Sequence, residues 1–115
     1  MMDNVIEDKS FRFAVRIVKL CQYLQEEKKE YPLSKQLLRS GTSIGANVAE
    51  AQQAQSRADF ASKMNIALKE SAETNYWLRL LYATNYLTQE EFSSIFPDSE
   101  EITKLLIAIT KSAKQ

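Results

Sequence analysis

Between Leu37 and Leu87 apolar and polar residues recur every three or four positions, and the chain's only two glycines, Gly41 and Gly45, fall four residues apart inside that helical pattern. Glycine weakens a helix interior by about 1 kcal/mol relative to alanine, so two on one face imply that something approaches the backbone closely there. Gly41, Gly45 and Ala49 form one ridge of small residues, with Ile44 and Val48 beside it. Next to the ridge, Gln36, Ser40, Ser43, Asn47 and Glu50 recur at alternating spacings of four and three, a polar stripe along the same helix. The stretch predicts a close helix contact flanked by hydrogen-bonding groups. A loop over Ser40 to Thr42 is the rival reading, but the heptad spacing of both stripes passes through the glycines unbroken.

Helical spacing continues on both sides. Residues 1–9 are polar and expected to fray, after which Phe13, Ile17, Leu20 and Leu24 recur at helical intervals with Ala14 and Cys21 alongside. Ser10 can cap this first helix, which should run to about Lys28. The run EEKKEYP ends it, because Pro32 disfavours a helical Tyr31, and so short a turn makes helices one and two antiparallel neighbours. Ser34 can cap the second helix, whose core positions are Leu37, Gly41, Ile44, Val48 and Ala51. The apolar stripe lapses from Gln52 to Arg57, where Ser56, with Asp59 three residues on, opens the third and longest helix.

That helix should run to about Thr84, with Phe60, Met64, Ala67, Leu68, Leu78 and Leu81 on its core face. A second stripe carries Ile66, Glu70, Glu73, Trp77 and Leu80. In YWLRLLYA, from Tyr76, large apolar groups surround the axis, and a helix apolar nearly all round is buried nearly all round. One bundle covers only part of such a helix, so a self-association surface is expected at Trp77, Leu80 and Tyr82; the alternative is that these rings pack under adjoining turns. Thr88 with Glu91 is a capping box opening a fourth helix that starts with Phe92, Ile95 and Phe96. Pro97 interrupts it as a kink or brief break, and Asp98 can recap a continuation through Ile102, Leu105, Leu106 and Ile109. With no alternating strand pattern, the expected fold is all-α: one domain over 1–115, an antiparallel up-and-down four-helix bundle.

Composition narrows the function. Fifteen basic and fifteen acidic residues cancel, which removes the general argument for nucleic acid, so any such binding has to come from a local patch. Arg12, Arg16 and Lys19 line up on one face of the first helix, as either a solvated face or a short phosphate-facing stripe. No apolar run is long enough to cross a bilayer, and MMDNVIEDKSF lacks a secretory pattern, so a cytoplasmic protein with no membrane partner is expected. The lone Cys21 has no internal disulfide partner, and histidine is absent, which removes the commonest base and metal ligand. Glu50, Glu70 and Glu73 are the inward-facing carboxylates, with Arg16 and Arg39 as candidate partners. No nucleophile, phosphate-cradling loop or Glu-x-x-His motif accompanies them, so ion pairing is expected, with no catalytic residue, metal, cofactor or small-molecule substrate.

The segments QLLRSGTSIGANVAEAQQAQSRADF, from Gln36, and KMNIALKESAETNYWLRLL, from Lys63, closely resemble the bacterial four helix bundle proteins related to those encoded in intervening sequences of 23S ribosomal RNA genes. A more distant resemblance is to the accessory protein of diversity-generating retroelements. The family pattern is matched at Gln36, Arg39, Ser40, Ser43, Ile44, Asn47, Ala49, Glu50, Ser56, Phe60, Ile66, Ala67 and Glu73, none a known catalytic residue. The resemblance implies a bundle assembled as a ring, commonly a homopentamer, and association with RNA or a ribonucleoprotein. Arg12, Arg16, Lys19, Lys35 and Arg39 are the candidate phosphate contacts. Two departures stand out: the chain is neutral where the retroelement proteins look basic, and Ala51 follows Glu50 where many relatives have glycine. A protein-binding scaffold without nucleic-acid contact is the alternative.

Overall fold

The computed structural model describes residues 4–114 and contains four helices: α1 (Val5–Glu26), α2 (Pro32–Ala51), α3 (Arg57–Ala83) and α4 (Gln89–Ala113). Among the described residues there is no strand, and no helix is long and apolar enough to cross a membrane. Each helix packs antiparallel on the next and α1 closes against α4, while the diagonal pairs, α1 with α3 and α2 with α4, stay apart. The result is an up-and-down bundle 44 Å long and about 20 Å across. Its core includes Phe13, Ile17 and Leu24 of α1, Leu37, Ile44 and Val48 of α2, Met64, Leu78 and Leu81 of α3, and Ile95, Ile102 and Leu106 of α4.

The glycines do what their placement predicts. The helix runs unbroken through both, and a Cβ on Gly41 would lie 2.9 Å from two carbons of Ile17, while one on Gly45 would lie 3.3 Å from the Ser10 carbonyl oxygen. They let α1 and α2 approach at two levels. Small hydroxyls serve the other seams: Thr74 donates to Ser40 at 2.9 Å between α2 and α3, and Ser99 donates to Asn75 at 2.5 Å between α3 and α4. Ser71 and Thr103 share a further hydrogen bond there, and among the described residues no buried side-chain polar atom lacks a partner. Small, satisfied polar groups set register without holding the helices apart.

Two of the four expected caps form. Ser56 accepts from the Asp59 N–H, and Thr88 with Glu91 makes the full reciprocal box. Ser10 and Ser34 do not cap. Helix α1 starts at Val5, because buried Ile6 extends the apolar stripe by a turn, so residues 5–9 are helical; 1–3 lie outside the described residues. Ser10 is inside that helix, donating to the Glu7 carbonyl at 3.2 Å.

At α2, Pro32 occupies the first turn and the buried Glu30 carboxylate accepts the N–H groups of Leu33 at 2.8 Å and Ser34 at 2.7 Å. An anion there also complements the helix dipole. Glu30→Ala strips two orphan donors of their acceptor and is expected to cost about 1–2 kcal/mol, the range of lost N-caps, read by urea denaturation; an unchanged midpoint would contradict this assignment. Pro97 does not break α4. It is exposed, as is Ser93, whose carbonyl loses its helical N–H to the proline, and Asp98 pairs with α1 instead of recapping.

Candidate functional site

The polar stripe of α2 meets α3. Arg39 binds the Glu73 carboxylate, reaches Glu70 at 3.3 Å and touches Gln36 at 3.4 Å. The Trp77 indole N–H donates to the same Glu73 at 2.9 Å, and Tyr76 sets its ring edge-on to Trp77 with centroids 5.0 Å apart. One turn along, Ser40 is buried against Thr74; further on, Asn47 donates to Ser43, and Glu50 pairs with Lys63 at 2.9 Å. Glu50's hydrogen bond, reinforced by its charge, holds the Lys63 ammonium above its ordinary range. Gln36, Arg39, Ser40, Ser43, Asn47, Glu50 and Glu73 therefore lie along one α2 to α3 seam. Each of its carboxylates already has a cation.

The basic stripe of α1 meets α4. Arg16 spans the turn around Pro97, donating to the Ser94 carbonyl at 3.0 Å, the Ser94 hydroxyl at 2.7 Å and the Asp98 carboxylate at 2.7 Å. Lys9 pairs with Glu101 at 3.2 Å, and Arg12 with Asp8 of its own helix at 3.2 Å. Lys19 lines a groove of about 500 Å³ with Glu90, Glu91 and Ser94 across from it and Leu20, Tyr23 and Ile95 in its floor. The five candidate cations do not form one patch: Arg12, Arg16 and Lys19 follow the α1 to α4 seam, whereas Arg39 faces α3 and Lys35 is exposed four residues before it.

Sequence reasoning missed the acceptors. Glu91, Ser94, Asp98 and Glu101 are spaced three, four and three, the mirror of Lys9, Arg12, Arg16 and Lys19 on an antiparallel neighbour. That complementarity was present in the sequence and needed only the two stripes to be laid side by side.

The expected self-association residues are unevenly exposed. Tyr82 stacks on Phe92 at 4.5 Å, which in turn stacks on Phe96 at 4.6 Å, while Trp77 and Leu80 are half-buried. Tyr82 stays 37% exposed despite that stacking, Ile66 is exposed to a similar degree, and Tyr76 is more open at 52%. A second apolar stripe, unforeseen, lies on α1: Phe11, 69% exposed, with Val15 and Val18. It borders a shallow groove formed by Ala14, Thr42, Gly45, Ala46 and Ala49, so the small-residue ridge faces α1 at Gly41 and opens to the surface at Ala49. Nor is Cys21 an available nucleophile: it is buried, it donates to the Ser34 carbonyl at 3.3 Å, and burial first, then the Glu30 charge, push its thiol up to about 12.

A model of the family described as 23S rRNA-intervening sequence protein matches residues 2–108. The chain belongs to this family. Its fold is shared by a solved protein of unknown function from the S23 ribosomal protein family of Bacteroides thetaiotaomicron VPI-5482. The two are 64% identical, with a TM-score of 0.91 over 93% of this chain and 99% of that one. A comparison with curated proteins finds no match. Within the family fold, the α2 to α3 seam and the α1 to α4 seam carry the ion pairs between helices among the described residues.

Proposed function

We propose that this chain is a non-enzymatic, cytoplasmic bundle that assembles into a ring and, as a ring, associates with RNA or a ribonucleoprotein. The observation that carries the ring is the placement of two groups of exposed apolar side chains, Phe11, Val15 and Val18 on α1 and Ile66 and Tyr76 on α3, two helices diagonal across the bundle; Val5, Tyr31, Tyr82 and Ile107 are exposed as well. A two-fold dimer buries one self-complementary face. Two different faces on opposite sides instead favour head-to-tail contacts, which close into a ring when the rotation permits. Five copies is the size the family resemblance suggests, and Trp77, Leu80 and Tyr82 would flank the contact. The RNA association leans on the family's description and on Lys19 and Lys35, which make no ion pair among the described residues. Repetition around a ring multiplies such weak patches into one avid surface.

A single observation favours the scaffold reading instead: Arg12, Arg16 and Arg39 are all held by carboxylates of their own chain. Light scattering tests the assembly, with Phe11→Glu and Tyr76→Glu as the variants. The wild type is expected near five chain masses and each variant as a monomer. Mixing the variants should yield a dimer and nothing larger, because one intact face remains on each. A monomeric wild type, or variants that keep the wild-type mass, would overturn the ring. Titration with RNA at low and moderate salt then separates the readings, since phosphate contacts lose affinity steeply with ionic strength and apolar protein contacts do not.

A further inference from the structure

The α1 to α4 seam differs from the other three. No loop joins its helices directly, their backbones stay close over a smaller part of their length, and two grooves run along it. Outside the shared apolar core, charge crosses it: Lys9 to Glu101, and Arg16 to Asp98 and Ser94, with Lys19 facing Glu90 and Glu91 over the groove. Arg12 lines the second groove with Asp98 and Glu101. The cations of α1 thus look onto a row of α4 acceptors, the carboxylates of Glu91, Asp98 and Glu101 with Ser94 among them, set at the same three, four, three spacing.

We propose that this row is an autoinhibitory latch: the α4 carboxylates occupy the places that phosphates of a polyanion would take on Lys9 and Arg16, and line the grooves beside Arg12 and Lys19 that the same polyanion would follow. The proposal rests on the RNA reading and adds its regulation. The basic stripe becomes a phosphate surface only when α4 lets go of it. Ion pairs this exposed are individually weak and screened by salt, so a polyanion presenting many phosphates can displace them. In the closed bundle, those same carboxylates repel it.

The test compares wild type with the double variant Asp98→Asn and Glu101→Gln, using a fluorescent oligouridine as probe and circular dichroism to confirm that helix content is kept. The variant is expected to bind at least about tenfold more tightly at low salt, with a log–log salt slope steeper by about 0.7 for each further phosphate neutralised. Adding Arg12→Gln and Arg16→Gln to it should cancel the gain. The pair Glu26→Gln and Glu27→Gln, which makes the same change in net charge at positions off the seam, should give no comparable gain. No tightening in the latch variant, or tightening that survives loss of the two arginines or appears equally in the control pair, would overturn the latch. Equal and firm binding by wild type and variant would leave the RNA reading standing and the latch refuted; no binding by either would refute both.

Discussion

Gly41→Ala is expected to destabilise the bundle by about 2 kcal/mol, lowering the melting temperature by roughly 10 °C, although alanine is the better helix former. The new Cβ would fall 2.9 Å from both Cγ atoms of Ile17 and 3.3 Å from its Cβ. Those atoms cannot swing away. Ile17 is fully buried and β-branched, so the clash has to move α1 itself. Overpacking of this kind costs about 1–3 kcal/mol, and with so rigid a neighbour the upper end applies, against a propensity gain of about 1 kcal/mol. Gly45→Ala provides the contrast: its Cβ would meet the Ser10 carbonyl at 3.3 Å, a small displacement, so propensity offsets it and the change should be near neutral. Ile17→Ala removes the clashing carbons, so combining it with Gly41→Ala should cost less than the sum of the two single changes. Strictly additive costs in denaturant melts would mean that the glycine is not there for Ile17.

This close approach was legible from glycine spacing alone because a helix penalises glycine, and only a contact explains two of them in phase. The caps at Ser56 and Thr88 were legible for the same local reason: each precedes its helix by one residue and finds a carboxylate three further on. Ser10 and Ser34 satisfy similar local rules and do something else, donating back to the carbonyls of Glu7 and Glu30 from buried positions. A serine's neighbours in sequence do not say which it does. What decides is the tertiary partner, here Ile6 anchoring an earlier start to α1 and Glu30 folding back over the start of α2.

The charged groups show the same limit. Periodicity places Arg12, Arg16 and Lys19 on one face, yet whether that face meets water, phosphate or α4 depends on a helix whose contacts with Arg16 lie 78 to 82 positions away. The sequence allows Arg39 to be either a phosphate contact or a carboxylate partner, and the fold puts it on Glu70 and Glu73. The apolar surface divides likewise. On the third helix, how open each large side chain stays is set by its neighbours: Tyr82 stacks on Phe92 of α4 and keeps 37% of its surface exposed, and Tyr76 keeps 52%. Phe11, Val15 and Val18 are not legible in the sequence because they lie off the core stripe of α1, and a scattered apolar residue on a helix surface is ordinary until its neighbours prove to be apolar too.

The largest dependence on solution conditions should come from Cys21. Burial between α1 and α2, and secondly the negative charge of Glu30, raise its thiol from 9.0 to about 12. An unfolded chain gives up this proton near 9, while the folded chain keeps it until about 12, so across that window the unfolded state holds fewer protons and stability falls as pH rises. The contribution is fully present below pH 9 and is lost toward 12, with a limiting slope of about 1.4 kcal/mol per pH unit. Tyrosines and lysines titrate nearby, so the readout is the difference between wild type and Cys21→Ala. That difference removes their shared contribution. Cys21→Ala costs a constant amount for the lost packing, and its disadvantage should shrink by about 1 kcal/mol between pH 9 and pH 10 in denaturant melts. Because burial is the larger cause, Glu30→Ala should weaken this pH dependence without abolishing it. If the gap between wild type and Cys21→Ala stays the same at both pH values, the thiol is not held protonated by the fold.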